Sequence, residues 1–190
     1  MSTPADAFLA AMANAATSPE AQPSLESFMA RAIAMELETG QRYDELADSV
    51  EIDNESNLEV VKLFRAMAGV ERKHADALLR QMGWTDAPPA SVAAWHAGAG
   101  EGPEAAASEE LHYCMQPYHA LQIALRNEER AVCFFGLLAA VASSGPVRGV
   151  ALAMEQEERE HVALMKAWIA KVPLPGAYWA IDPDPSRYSD

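Results

Sequence analysis

Apolar residues recur at intervals of three and four along four stretches of the chain, and proline, glycine and serine fall between those stretches. That spacing is the signature of helices rather than strands and predicts an all-α fold. The first helix follows Pro23, with Ser24 as its N-cap and Glu26 in its first turn, and runs through Ala47 to a polar segment at 48–56. Asn57 is placed to cap the second. That helix carries Leu58, Val61, Phe64, Met67, Ala68, Ala75 and Leu78 on one side and stops at Gly83, which suits the left-handed turn beyond a helix end. Pro117 either starts the third helix or kinks a longer one; we take it as a start. The third helix reaches Ala142 and ends in Ser143-Ser144-Gly145, and Pro146 then opens a fourth that runs to Lys171.

Short connections join the first helix to the second and the third to the fourth, which makes each pair antiparallel. The long Pro- and Gly-rich segment from Trp84 to about Gln116 lets the second pair enter from either end. The expected architecture is a four-helix bundle with one long crossover between helices 2 and 3, each helix spanning about 38 Å. Residues 1–23 form an N-terminal extension that can include a short helix, 24–172 the bundle, and 173–190 an extended tail. Tyr178, Trp179, Ile181 and Tyr188 would expose aromatic surface unless the tail docks on the bundle or on a second copy, so a homodimer is expected.

With 190 residues, half of them hydrophobic, the chain can bury a sizeable core. Its formal net charge of -14, with basic residues unclustered, makes nucleic acid and anionic membranes poor partners and cations good ones. No segment reads as a signal peptide or a membrane span, and the two cysteines, Cys114 and Cys133, form no Cys-x-x-Cys pair. A cytoplasmic location is expected, with both cysteines as buried apolar residues.

Each apolar stripe contains a carboxylate. Glu36 lies among Met29, Ala32, Ile33, Gly40, Tyr43 and Ala47. Glu71 and His74 lie among Phe64, Met67, Ala68, Ala75 and Leu78, and Glu128 among Leu121, Ala124, Leu125, Ala131, Val132 and Phe135. Glu158 and His161 lie among Ala151, Met154, Val162, Met165 and Ile169. Residues three apart on a helix are surface neighbours, so each Glu-x-x-His pair can direct an oxygen and a ring nitrogen at one point. Glu36 is 12 residues past Ser24, Glu71 is 14 past Asn57, Glu128 is 11 past Pro117 and Glu158 is 12 past Pro146. All four therefore share one mid-height layer. Burying an ionised carboxylate costs several kcal/mol, and no Lys or Arg shares these stripes, so two divalent cations are the expected compensation. Oxygen-rich ligation with one imidazole per metal suits iron or manganese, and zinc is also compatible. Glu128 is preferred over Glu129, whose own helix face is polar. Glu155 is an added ligand, an acceptor beside the site, or a surface residue. Tyr43 is a core tyrosine, a phenol hydrogen-bonded near the site, or a redox-active phenol, and His96, His112 and His119 are structural.

Met35-Glu36-Leu37-Glu38-Thr39-Gly40-Gln41-Arg42-Tyr43, Val70-Glu71-Arg72-Lys73-His74-Ala75, Asn127-Glu128-Glu129-Arg130-Ala131-Val132-Cys133-Phe134-Phe135 and Glu158-Arg159-Glu160-His161 together resemble the four ligand helices of the rubrerythrin branch of the ferritin-like superfamily. The resemblance covers about residues 25–170 and implies a ferritin-like bundle around a diiron centre that reacts with hydrogen peroxide or dioxygen. It implies Glu71 and Glu158 as bridging ligands, Glu36 and Glu128 as terminal ones, and His74 and His161 one per iron. Ala131 stands where rubrerythrins carry a further glutamate, and the chain lacks the cysteines of a rubredoxin domain, so electrons would come from a separate donor. The expectation is a diiron peroxidase or oxidase. The alternatives are a non-catalytic iron or manganese handling protein and an interaction scaffold using the 84–116 segment and the tail.

Overall fold

The structure, a computed structural model, describes residues 24–51, 57–88 and 115–177. Four helices make it up: α1 Leu25–Glu51, α2 Leu58–Met82, α3 Pro117–Val141 and α4 Gly145–Ile169. The expectations for residues 1–23, for most of the crossover, and for the tail aromatics lie outside the described residues.

The helix ends follow the local chemistry. Ser24 caps α1 by accepting from the Ser27 N–H at 3.1 Å, a contact worth about 1 kcal/mol. α1 runs one turn beyond Ala47 because Leu46 and Val50 are both buried against the core, and that burial outweighs the polar residues between them. Asn57 precedes α2 as expected, but its side chain donates to the Val50 carbonyl at 3.1 Å and so closes the end of α1 rather than capping α2. Leu58, expected on the core face, is exposed in the first turn. Gly83 takes a φ of 68°, with its N–H and that of Trp84 returning to the Arg80 and Leu79 carbonyls. Pro117 does begin α3, and Pro146 lies in the first turn of α4.

α1 packs mainly on α2 and α3 mainly on α4, and α1 also touches α3 and α4. The core divides into two apolar clusters. One joins Leu46, Val50, Val61 and Phe64 to Leu121, Ala124 and Met165. The other joins Phe28, Met29 and Met35 to Phe135, Leu138, Val147 and Met154, with Trp84 packed against it. The first cluster therefore holds the C-terminal half of α1, the N-terminal halves of α2 and α3, and the C-terminal half of α4. Hence α2 and α3 run parallel, and the 83–116 connection is the crossover expected from its length. Among the described residues no helix is long and apolar enough to cross a membrane.

Gly40 permits the close approach of α1 to α2, since a Cβ there would lie 3.3 Å from the Ala68 carbonyl oxygen and 3.5 Å from Glu71 Cβ. Gly69, on α2, has open space around its missing Cβ. Helical glycine ordinarily costs about 0.5–1 kcal/mol relative to alanine. Gly69→Ala should therefore raise the unfolding free energy by about that amount, whereas Gly40→Ala should give no gain or a loss, because helix backbone must move to admit it. Urea titrations of the two variants check this.

Candidate metal centre

Between the two apolar clusters lies a polar layer built from the middle of all four helices. Glu36, Glu71, Glu128, Glu158 and His161 are buried and His74 is half-buried. His161 Nδ1 lies 3.2 Å from Glu158 Oε2, 3.3 Å from Glu71 Oε1 and 3.6 Å from Glu128 Oε2. His74 Nδ1 lies 3.6 Å from both Glu36 Oε2 and Glu71 Oε2. The two imidazoles are parallel, with ring centroids 5.7 Å apart. All six residues expected from the helical phases thus meet in one layer.

Glu71 stands at its centre, with one oxygen toward His161 and the other toward His74. Two sets of ligand atoms are close enough together to hold a metal ion: Glu71, His74 and His161, and Glu128, Glu158 and His161. His161 belongs to both. Glu36 is in neither set but reaches the first through His74.

Other residues fall outside this layer or at its edge. Glu129 is exposed and paired with Lys166 at 2.9 Å, in keeping with the preference for Glu128. Glu155 packs its carboxyl against Gly136 and accepts from Arg159 Nε at 3.1 Å, which makes it a partner of arginine on α4. Tyr43 donates its hydroxyl to Glu128 Oε1 inside the core. His119 has a structural role, its Nδ1 accepting from the Gln116 N–H at 3.2 Å. Cys133 is exposed, contrary to the expectation of burial, because five residues beyond Glu128 at 100° each turn it away from the inward face. Cys114, His96 and His112 lie outside the described residues. Sequence reading missed Glu157, whose Oε2 approaches His74 Nδ1 to 4.0 Å. Its only signal is its place in the acidic run from Glu155 to Glu158, and the contact crosses between helices.

Protonation follows from burial and charge. Burial raises Glu71 to about 8, against partial relief from His74 and His161. Burial also raises Glu158 well above its ordinary value, and Glu128 and Glu71 push it the same way. Burial alone would raise Glu128 too, but hydrogen bonds to His161 and Glu158, the His161 charge and the Tyr43 hydroxyl hold it below the usual carboxylate value. The Glu36 and Glu71 carboxyls raise His74 to about 10. Burial opposes charge on His161, yet Glu128 and Glu158 raise it to about 11. Burial first, and the Glu128 carboxylate second, keep the Tyr43 phenol protonated as a donor.

Protons and imidazolium charge do not satisfy the whole layer. Glu36 Oε2, both oxygens of Glu71 and His74 Nδ1 are buried without a hydrogen-bond partner. Buried polar atoms are almost always paired, and a cation is the partner that carboxylate oxygens and a neutral imidazole share. The donor set therefore fits a metal.

A helical bundle with two Glu-x-x-His pairs and two lone glutamates converging at mid-height defines the ferritin-like carboxylate class. Residues 27–91 match the rubrerythrin family. A crystal structure of an uncharacterized conserved protein from Magnetospirillum magnetotacticum is 34% identical over 81% of this chain and 99% of its own, with a TM-score of 0.65. The chain belongs to the rubrerythrin branch of the ferritin-like superfamily. No curated protein matches it.

Carboxyls with raised folded-state values hold protons in the native state that the unfolded chain has released. The metal-free fold should accordingly lose stability as pH rises from about 4.5 to 8. The imidazoles act in the same direction, since their contribution is complete below pH 6.5 and fades toward 10 and 11. At pH 7, ionisation of the unfolded chain makes Glu71 alone cost the metal-free fold on the order of 3 kcal/mol. The metal-free Glu71→Gln, Glu158→Gln double variant should be more stable than metal-free wild type by about 2–4 kcal/mol at pH 7, and flatter between pH 5 and 8. Chemical denaturation after verified chelation measures both, and equal stabilities would contradict this account of the layer.

Proposed function

We propose that the protein is a dinuclear metal carboxylate oxidoreductase that takes two iron ions and reacts with peroxide or dioxygen, drawing electrons from a separate donor. The observation that carries this reading is the set of buried, unpartnered polar atoms on Glu36, Glu71 and His74 at the centre of an otherwise apolar bundle. Glu36, Glu71, His74, Glu128, Glu158 and His161 are the proposed ligands, and manganese or zinc suits the same donors. When bound, two irons supply the paired one-electron chemistry that reduction of peroxide or dioxygen requires.

The chain's own residues set the conditions for that chemistry. Glu71, with one oxygen toward each imidazole, and Glu158 are the carboxylates that would be shared by both ions, and Tyr43 orients Glu128 through its hydroxyl proton. Phe64 and Leu121 on one side, and Met35 and Phe135 on the other, keep bulk water from the layer. His74 and His161 must release their protons for a cation to bind, so metal uptake should liberate acid.

Ala131 supports a second reading, a protein that holds iron or manganese without turnover. It occupies the position of an exchangeable glutamate in rubrerythrins, and here it is packed in the second apolar cluster. A homodimer in the cytoplasm is proposed for either reading, supported by the tail aromatics and the reduced-compartment cysteine usage.

Anaerobic loading with Fe(II), followed by titration with hydrogen peroxide and visible spectroscopy, separates the two readings. The enzyme reading expects two irons per chain and one peroxide consumed for every two Fe(II) oxidised. Stable Fe(II) in the presence of peroxide would leave the binding reading, and no metal uptake would refute both.

A further inference from the structure

A groove between α2 and α4 reaches from the surface to one side of the polar layer. It encloses about 370 Å³, with Glu36 and His74 at its inner end and Gln81, Ala153 and Glu157 among its outer residues. Of the six layer residues, His74 is the one that solvent reaches appreciably, at 24% side-chain exposure against 10% for His161 and less for the four glutamates. Glu36 lines the inner end while only 3% exposed, and its Oε2 has no hydrogen-bond partner. Glu157 stands at the solvent side, half-exposed, with Oε2 4.0 Å from His74 Nδ1. The Glu128 end differs, since Tyr43 closes over it inside the first apolar cluster.

We infer that the two halves of the layer load unequally: the Glu36–His74 half is an exchangeable divalent-cation position filled through the α2–α4 groove, with Glu157 as the carboxylate that first captures the ion. The inference rests on the metal-binding reading above and deepens it. A hydrated divalent ion resists losing all its waters at once, so a path needs ligands of decreasing hydration. Glu157 offers an oxygen while the ion keeps water on its open side, His74 offers a nitrogen 4.0 Å further in, and Glu36 offers an unpartnered buried oxygen beyond that. Because Glu157 is half-exposed, its attraction for a cation is screened. It therefore governs how fast ions arrive more than how tightly they are held.

Rapid-mixing uptake of Co(II) by the full-length metal-free protein, followed by cobalt absorption, tests the assignment. Wild type should take two ions per chain in a fast and a slow phase. Glu157→Gln should slow the fast phase by about three- to tenfold while the endpoint stays at two ions. Glu160→Gln removes the same charge from an exposed α4 site bonded to Gln156, and should leave the rate within about twofold of wild type. Ala153→Trp, which narrows the groove, should also slow the fast phase without changing the endpoint. Equal rates for the Glu157→Gln and Glu160→Gln variants, or unhindered uptake by Ala153→Trp, would overturn the groove as the route. Two ions bound by wild type in a single phase untouched by Glu157→Gln would overturn this inference alone, and no cobalt uptake by wild type would overturn it together with the metal-binding reading.

Discussion

Burial of carboxylates in a medium that cannot solvate them is the constraint on which the rest of the structure depends. Four glutamates in one interior layer would overwhelm a fold whose net stability is only about 5–15 kcal/mol unless their charge is compensated. Two features of the layer lower that cost: burial raises Glu71 and Glu158 toward their neutral forms, and the raised His161 imidazole lies beside Glu128. Both still leave oxygens of Glu36 and Glu71 unpartnered. The apolar clusters above and below the layer make the cost large, and the same exclusion of water is what makes the layer useful to a bound ion.

The bundle's construction follows from that layer. Each hairpin is held by its own close approach, with Gly40 of α1 against Ala68 and Glu71, and Gly136 of α3 against the Glu155 carboxyl. The space for the polar side chains lies between the hairpins. A crossover that makes α2 and α3 parallel still brings the two Glu-x-x-His pairs to one level, because each lies near the middle of its helix and direction does not alter mid-height.

The layer is not symmetric, although its sequence motifs are. His74 and His161 belong to equivalent Glu-x-x-His pairs, yet His74 borders a groove while His161 is enclosed and shared by both ligand sets. Tyr43 bonds Glu128, and its counterpart at the other end is the half-exposed Glu157. One half is thereby closed within the core and the other borders a groove open to solvent.

The sequence by itself determined the four helices, their starts at Ser24 and Pro117, the stop at Gly83, and the six inward-facing residues of the polar layer. All of these depend on the fixed 100° step of a helix or on backbone chemistry local to a few residues. Helical phase was enough to separate Glu128 from Glu129, because the neighbours of each on its own helix already differ. Phase applied to Cys133 would likewise have turned it outward, where it is found. Tertiary structure alone decided the rest: that Asn57 closes α1 instead of capping α2, that Glu155 pairs with Arg159, that Tyr43 bonds Glu128, and that Glu157 reaches His74. Most of these contacts join different elements, and for Glu155 the choice lay between an interhelical ligand position and a local arginine. Spacing along one helix carries no information about which side chain on another will meet it, since that depends on how closely the backbones approach and how the helices are rotated about their axes.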